Sequence, residues 1–237
     1  MFRTDELSVQ FGAIAALREV TVDCAAHVVG IAGANGAGKS TLLNVFCGYV
    51  RPSGGHVHFR GKDCTGSGPA DMARLRVGRV AQHPKLSPAL TVWENASIGL
   101  RNRQAAAGLT ALMDELEMSH WRDRDVSELP YSIQKLLDLV RAMAPEPDIL
   151  LCDEPFSGLD AAERDRAQKV LTSVAGRGTT LVIVEHDVPR LASMVDQLIV
   201  LENGRTLGDG APDDVLARDE VAASFIGGSV ATKGVTA

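Results

Sequence analysis

The stretch GANGAGKST, Gly33 to Thr41, places three glycines, one lysine and two hydroxyls in the order G-x-x-x-x-G-K-S. Glycines at 33, 36 and 38 let successive backbone N–H groups turn inward on phosphate oxygens, Lys39 can reach the outer phosphates, and the Ser40 hydroxyl suits Mg²⁺. Asn35, Ala37 and Thr41 complete the stretch assigned to nucleotide binding. A glycine-rich turn with an incidental lysine is the plainer reading. The flanks decide against it, because strand-like HVVGIA precedes the loop and helix-like LLNVFCG follows it, which is the setting the motif requires.

A second chemical pair ends the apolar run DILLCDEP at Asp153 and Glu154. A buried strand delivers side chains at its C-terminal end to the crevice where α/β sheets bind ligands. Asp153 is expected to hold Mg²⁺ through water, and Glu154 to polarise an attacking water as general base. Either acid alone is as readily a solvated strand end; the pair in one chain with a phosphate loop is not.

The elements that position these groups read as α/β. Strand-like runs fall at ELSVQF, EVTVD, HVVGIAG, HVHFR, VGRVA, DILLCD, TLVIVE and QLIVLENG, and the later ones alternate with helices as βαβ units do. A mostly parallel sheet with an antiparallel β flank follows. Residues 1–90 and 145–210 form this core, within a single domain spanning 1–237. Residues 91–144 read as an inserted helical subdomain, with Leu109, Leu112, Met113 and Leu116 on one helix face and Ile133, Leu136, Leu137, Val140 and Ala144 on another. Pro212 and Asp213 mark a helix start in a C-terminal region, 211–237, of short helices and a tail that frays beyond Gly228.

At 237 residues and 45% apolar content the chain can bury a full core. A net charge of −6 gives no electrostatic footprint for nucleic acid, which is not expected as a partner. Cys24, Cys47, Cys64 and Cys152 lack CxxC spacing, and Asp5 and Glu6 stand where a signal peptide would be basic and then apolar, so a reducing, cytosolic compartment is expected. No apolar run approaches the roughly 18 residues of a bilayer span. His56 and His58, two apart in HVHF and expected to have no cysteine or acid partner nearby, read as a solvated strand face rather than a metal site. Cys152 reads as a small buried hydrophobe.

With these motifs in order, the chain resembles the nucleotide-binding subunit of ABC transporters over nearly its whole length. Phe11 resembles the aromatic that stacks on adenine, Gln82 in RVAQHP the Q-loop glutamine, SGLD (Ser157 to Asp160) the D-loop, and His186 in VEHD the switch histidine. Without the resemblance each would be bland: Phe11 a core residue, Gln82 a surface one, His186 a polar strand end. The resemblance implies an ABC ATPase fold, with ATP and Mg²⁺ as cofactors. It implies catalytic roles for Glu154, His186 and Gln82, metal contacts from Ser40, Gln82 and Asp153, and nucleotide contacts from Phe11, the phosphate loop and Asp160.

Within the family, LSVQFGAIAALREVTVD, LTVWEN and LGDGAPDDVLARDEVAASFIGG are most similar to ATPases of branched-chain amino-acid importers, a likeness that urea and amide importers share. It implies a second ATPase subunit, two membrane permease subunits, an external solute-binding protein reached through the complex, and a peripheral place on the inner face of the cell membrane. VDCAAHVVG departs from the family in lacking the usual Gly-Glu turn.

A larger departure lies at the signature motif Leu-Ser-Gly-Gly-Gln, matched here by Leu129-Pro130-Tyr131-Ser132-Ile133. Tyr131 and Ser132 occupy positions that face a partner's nucleotide in the family. Pro130 removes a hydroxyl that would bond the γ-phosphate and one backbone N–H. Ser132 is turned about 200° away along the helix and cannot replace it. Proline favours the first helical position, and the remaining free N–H groups still attract an anion. The site reads as weakened, which implies a different partner chain with an intact signature. The rival from another class is a nucleotide-gated regulatory or binding protein that closes on ATP without transport.

Overall fold

FRTDELSVQF alternates buried and exposed residues and forms strand β1 (Phe2–Phe11). Phe2 and Thr4 face the core, and then Leu7 and Val9 do. The odd step is absorbed at Glu6, whose φ of 49° marks an irregularity in the ladder between Thr4 and Leu7. Strand β2 (Ile14–Asp23) makes the same correction at Glu19, φ 53°, so that Leu17 and then Val20 and Val22 point inward. Such bulges re-aim a strand without changing its buried face. With β4 (Gly54–Phe59) and β5 (Lys62–Asp63) these make an antiparallel sheet ordered β2-β1-β4-β5. Phe2 stacks on Phe46 with ring centroids 4.3 Å apart, and meets Phe59 at 4.7 Å.

The computed structural model describes residues 1–100 and 103–227. It divides into two units, one of Met1–Arg74 that resumes at Val182, and one of Leu75–Leu181. The first unit also holds β3 (Val28–Ala32), parallel to β9 (Gln197–Glu202), with β10 (Arg205–Gly210) antiparallel to β9. Asn203 and Gly204 form the two-residue turn of that hairpin with φ of 49° and 78°, the positive pair that a tight hairpin needs. Helices α1 (Lys39–Phe46), α2 (Pro69–Arg74), α7 (Val188–Ala192), α8 (Pro212–Leu216) and α9 (Asp219–Gly227) belong to this unit. The expected fraying beyond Gly228 lies outside the described residues.

In the second unit β6 (Val77–Val80) runs parallel to β7 (Ile149–Asp153), which is buried at every position and so reads as an unbroken apolar run. Among the described residues three α-helices fall between them: α3 (Val92–Ser97), α4 (Arg103–Glu115) and α5 (Tyr131–Met143). Thr91 and Glu94 form a capping box that starts α3. After β7 comes α6 (Ala161–Gly176), and β8 (Thr180–Val184) carries the chain back to the first unit. No helix among the described residues is long and apolar enough to cross a membrane.

Two sequence expectations change. Strands β5 and β10 are not legible in the apolar pattern; β5 has only two residues, and RTLGDG lacks an apolar alternation, although Asn203-Gly204 announces the hairpin. His56 and His58 do have acidic neighbours, with Asp63 3.5 Å from His56 Nδ1 and Asp5 3.5 Å from His58 Nδ1. Strand pairing brings Asp5 opposite His56 from a distant part of the sequence, and the β4–β5 hairpin folds the nearby Asp63 opposite His58.

Cys24 is fully buried, and this burial, with Asp209 and Asp23 adding to it, pushes its thiol from 9.0 up to about 12. The folded chain therefore keeps a proton that the unfolded chain releases. Stability is complete below the unfolded thiol's range and falls as pH rises from about 9 toward 12. Urea midpoints measured at pH 8, 9.5 and 10.5 are expected to fall less steeply in Cys24→Ala than in the parent chain.

Candidate functional site

The phosphate loop joins β3 to α1 in the first unit. Gly33, Gly36 and Gly38 adopt φ of 144°, 81° and 102°. A Cβ at Gly33 would stand 2.1 Å from the Leu201 carbonyl oxygen, and one at Gly38 2.7 Å from that of Ala16, so neither position accepts a side chain. At Gly36 nothing lies within 4 Å of the place a Cβ would take, which leaves the loop's mouth open. Gly38 is the N-cap of α1 and has no side chain to shield the N–H groups that follow. Lys39 is only 7% exposed, and its ammonium donates to the Gly33 and Ala34 carbonyls at 2.7 and 2.9 Å, bending across its own loop. Behind the loop, the Gly204 N–H donates to the Ala37 carbonyl at 3.1 Å, while the Gly204 carbonyl accepts from the Arg18 N–H at 2.7 Å. The β9–β10 turn thus braces the loop from the side away from its mouth.

Phe11 and Ile14 pair across the β1–β2 turn and stand 51% and 70% exposed, an apolar tip where most large hydrophobics are buried. His186 follows β8 with its ring exposed, and its Nδ1 lies 3.6 Å from the buried Glu185 carboxylate. Asn35 is exposed, and Ser40 and Thr41 are half-buried in the first turn of α1.

The second unit carries the other predicted groups. Asp153 is buried at the end of β7, and Glu154 follows with φ 47°. A non-glycine residue in the left-handed region costs on the order of 1 kcal/mol, and here it turns the chain sharply after the strand. Ser157 secures that turn, donating from both its N–H and its hydroxyl to the Glu154 carbonyl at 3.2 and 3.0 Å. Asp160 is the N-cap of α6 in a capping box: its carboxylate accepts from the Glu163 N–H at 2.8 Å, and Glu163 accepts from the Asp160 N–H at 2.9 Å.

The signature stretch differs from expectation by one residue. Pro130 is the N-cap of α5, φ −54° and ψ 151°, and not its first helical residue; Tyr131 is. Proline favours a fixed φ near −65°, which the cap position also accepts. The Pro130 carbonyl takes the Gln134 N–H at 3.0 Å, but its ring offers no cap to the N–H groups of Tyr131, Ser132 and Ile133. Ser132 directs its hydroxyl to Glu163 Oε1 at 2.8 Å, so it is committed to the capping box of α6. Tyr131 is 45% exposed; its ring lies against Gly158, where a Cβ would come within 2.8 Å, and its hydroxyl donates to the Gln82 carbonyl at 3.4 Å and lies 3.3 Å from His83 Nδ1.

Periodicity missed the polar residues beneath this turn. Lys135 is 1% exposed and donates to the Ala81 and Gln82 carbonyls at 3.0 and 2.6 Å. Asp138 is fully buried, accepting from the Ala81 N–H at 3.0 Å and from Arg141 at 2.5 Å. Arg141 also donates to the Lys85 carbonyl. Burial lowers the Lys135 ammonium from its ordinary value, opposed by Asp138, Asp153, Cys152 and Glu154. Burial raises the Asp138 carboxyl, opposed first by Arg141 and then by the Ala81 N–H and Lys135. Their spacing with Tyr131 marks one helix face, a signal that was present in the sequence, but their partners lie some fifty residues back along the chain.

Among the described residues no group of three His, Cys, Asp or Glu side chains converges on a metal position. Hydroxyl, carboxylate and amide donors such as Ser40, Asp153 and Gln82 suit Mg²⁺, which binds through one or two protein ligands together with phosphate and water. A cleft of about 440 Å³ opens at the other end of β7, lined by Arg76, Leu112, Met143, Pro147 and Val174 among others, and contains none of the residues assigned chemistry.

Comparison with known proteins bears on this geometry. The ABC transporter family profile matches residues 17–157, more than half of the chain. The chain belongs to the ABC transporter family. This ABC ATPase is 26% identical over 244 residues to the high-affinity branched-chain amino acid transport ATP-binding protein LivG of Salmonella typhimurium, covering 93% of this chain and 95% of the relative. It is 34% identical over 205 residues to an Fe(3+) ions import ATP-binding protein, FbpC 2, of Rhodococcus jostii, covering 84% of this chain and 59% of that one. Among solved structures, the ADP conformation of an ATP-binding cassette of an ABC transporter superposes with a TM-score of 0.84 at 28% identity, covering 96% of this chain and 98% of the other. ATP is the nucleotide, Mg²⁺ its partner ion, and hydrolysis is coupled to transport. When bound, Mg²⁺ neutralises phosphate charge and orients the β- and γ-phosphates.

Proposed function

We propose that this chain is the ATP-hydrolysing subunit of an importer for branched-chain amino acids or related small polar solutes, working as one of two unlike ATPase subunits. Its phosphate loop cradles the nucleotide, Lys39 binds the outer phosphates, and Phe11 with Ile14 offers an apolar face to the base. Asp153, Ser40 and Gln82 hold Mg²⁺, Glu154 takes the proton of the attacking water, and His186 donates to the γ-phosphate. The other half of a composite site is weaker. Pro130 caps α5 without a side-chain donor, and the Ser132 hydroxyl is held by Glu163, so a partner's nucleotide meets only backbone N–H groups of the first turn and Tyr131. That observation carries the reading of a partner with an intact signature. Two permease subunits, an external binding protein and a place on the cytoplasmic face of the membrane complete it, supported by the likeness to LivG along nearly the whole length of both chains.

ATP turnover of the chain alone, with its sister ATPase, and after Pro130→Ser tests the asymmetry. Turnover of the unmixed chain is expected to be slow and to rise about tenfold or more in Pro130→Ser, the worth of one hydrogen bond to a charged acceptor. Brisk hydrolysis by the unmixed parent chain would overturn it. Uptake of labelled leucine by cells lacking the chain tests the solute, and unchanged uptake would remove amino acids from the proposal.

A further inference from the structure

The loop from Ala81 to Lys85 follows β6, and α5 grips it by its backbone. Lys135 donates to two of its carbonyls, Asp138 accepts its first N–H, Arg141 donates to its last carbonyl, and the Tyr131 hydroxyl bonds the Gln82 carbonyl. Residues 131, 135, 138 and 141 recur along one face of the helix, so a single rigid element reads four points of a five-residue segment. Lys135 contributes most to the position of Gln82 itself, because its ammonium bonds the carbonyls on both sides of the Gln82 N–H, at 3.0 and 2.6 Å. The same helix begins at Tyr131, whose ring touches Gly158, and at Ser132, which reaches Glu163.

We propose that Lys135 is a positioning residue for Gln82: it fixes the point from which the Gln82 side chain leaves the loop and ties that point to the phosphate-facing turn of α5. The proposal rests on the reading of Gln82 as a metal ligand given above. A buried ammonium is costly, and a neutral chain of similar length would serve packing as well. The use to which the charge is put is the loop, since its hydrogens go to loop carbonyls while its field meets the carboxylates of Asp138, Asp153 and Glu154. A shift of the Lys135 anchor would move Gln82 without touching the phosphate loop.

The test uses the full chain with ATP and Mg²⁺, in Lys135→Met, Lys135→Arg, Gln82→Ala and the double variant Lys135→Met/Gln82→Ala. Backbone hydrogen exchange without nucleotide is expected to quicken about tenfold or more at the Ala81 N–H, the loop amide that Asp138 accepts, in Lys135→Met, as the neighbouring charge-assisted bonds are lost, and to stay near the parent rate at residues 33–41. Lys135→Arg, which keeps the charge and donors, is expected to restore most of the protection; should Lys135→Met not fold, Lys135→Arg against Lys135→Gln makes the same comparison. The Mg²⁺ concentration giving half-maximal ATP binding is expected to rise in Lys135→Met and in Gln82→Ala and no further in the double variant. Additive effects, or unchanged exchange at Ala81, would overturn the role of Lys135 while leaving Gln82 as a ligand. An unchanged Mg²⁺ requirement in Gln82→Ala would overturn the reading of Gln82, and this proposal with it.

Discussion

Glu154→Gln is expected to lower ATP turnover by about a hundredfold or more while leaving ATP binding intact, the loss typical of a removed general base. The amide keeps the shape and polar character of the side chain but cannot take a proton from water at neutral pH. The turn that presents it, with Glu154 in the left-handed region and Ser157 bonded to its carbonyl, does not depend on the carboxylate, so the fold is expected to persist. Single-turnover hydrolysis beside equilibrium binding of ATP separates the two effects. A variant that still hydrolyses ATP at a tenth of the parent rate would remove Glu154 from the proton transfer and leave Asp153 as the acidic residue that matters.

The second large effect concerns stability. Arg141→Met leaves the fully buried Asp138 with the Ala81 N–H and Lys135 but without its strongest partner, and breaking a buried pair in this way costs on the order of 3–5 kcal/mol. Asp138 then titrates still higher, because burial dominates it and Arg141 was the chief opposing influence. For a carboxyl raised in the fold, stability is retained at low pH and lost as pH rises past the unfolded value near 4, so the deficit in Arg141→Met is expected to be smaller at pH 4.5 than at pH 7.5. Urea unfolding at the two pH values measures it. Arg141→Met/Asp138→Leu is expected to recover part of the loss, since the buried charge goes with its partner. A double variant as unstable as the sum of the singles would show that these side chains do not act as a pair.

Much of the cassette is legible in the sequence. The phosphate loop could be read because its geometry is enforced locally, as the clashes at Gly33 and Gly38 show: no other residue type fits there. The apolar runs of β3, β7 and β8 could be read because strands covered on both faces need no polar alternation. Lys135 and Asp138 could not be placed in the same way. A lysine and an aspartate three apart on a helix are ordinarily a solvated pair, and the facts that bury them are carbonyl and amide groups of residues 81 and 82, which every sequence possesses and no sequence advertises. The commitment of Ser132 to Glu163 was hidden for the same reason, since a hydroxyl's direction is decided by what stands opposite it. Pro130 was visible as an oddity from its type alone, and only its exact helical position needed the structure.

The bracing of the phosphate loop by Gly204, together with the pairing of β3 with β9, has a consequence for how the chain is made. The loop leaves the ribosome early, yet the strand beside it and the turn behind it are both encoded well over a hundred residues later. Contacts so distant in sequence close late in folding. A nascent chain halted before Gln197 carries every residue of the nucleotide motif and lacks the partners that hold it in shape. Affinity for ATP should therefore arise abruptly, near the completion of β9 and its turn, rather than growing as the motif residues emerge. Until then the exposed edge of β3 is a hazard of the kind that chaperones cover.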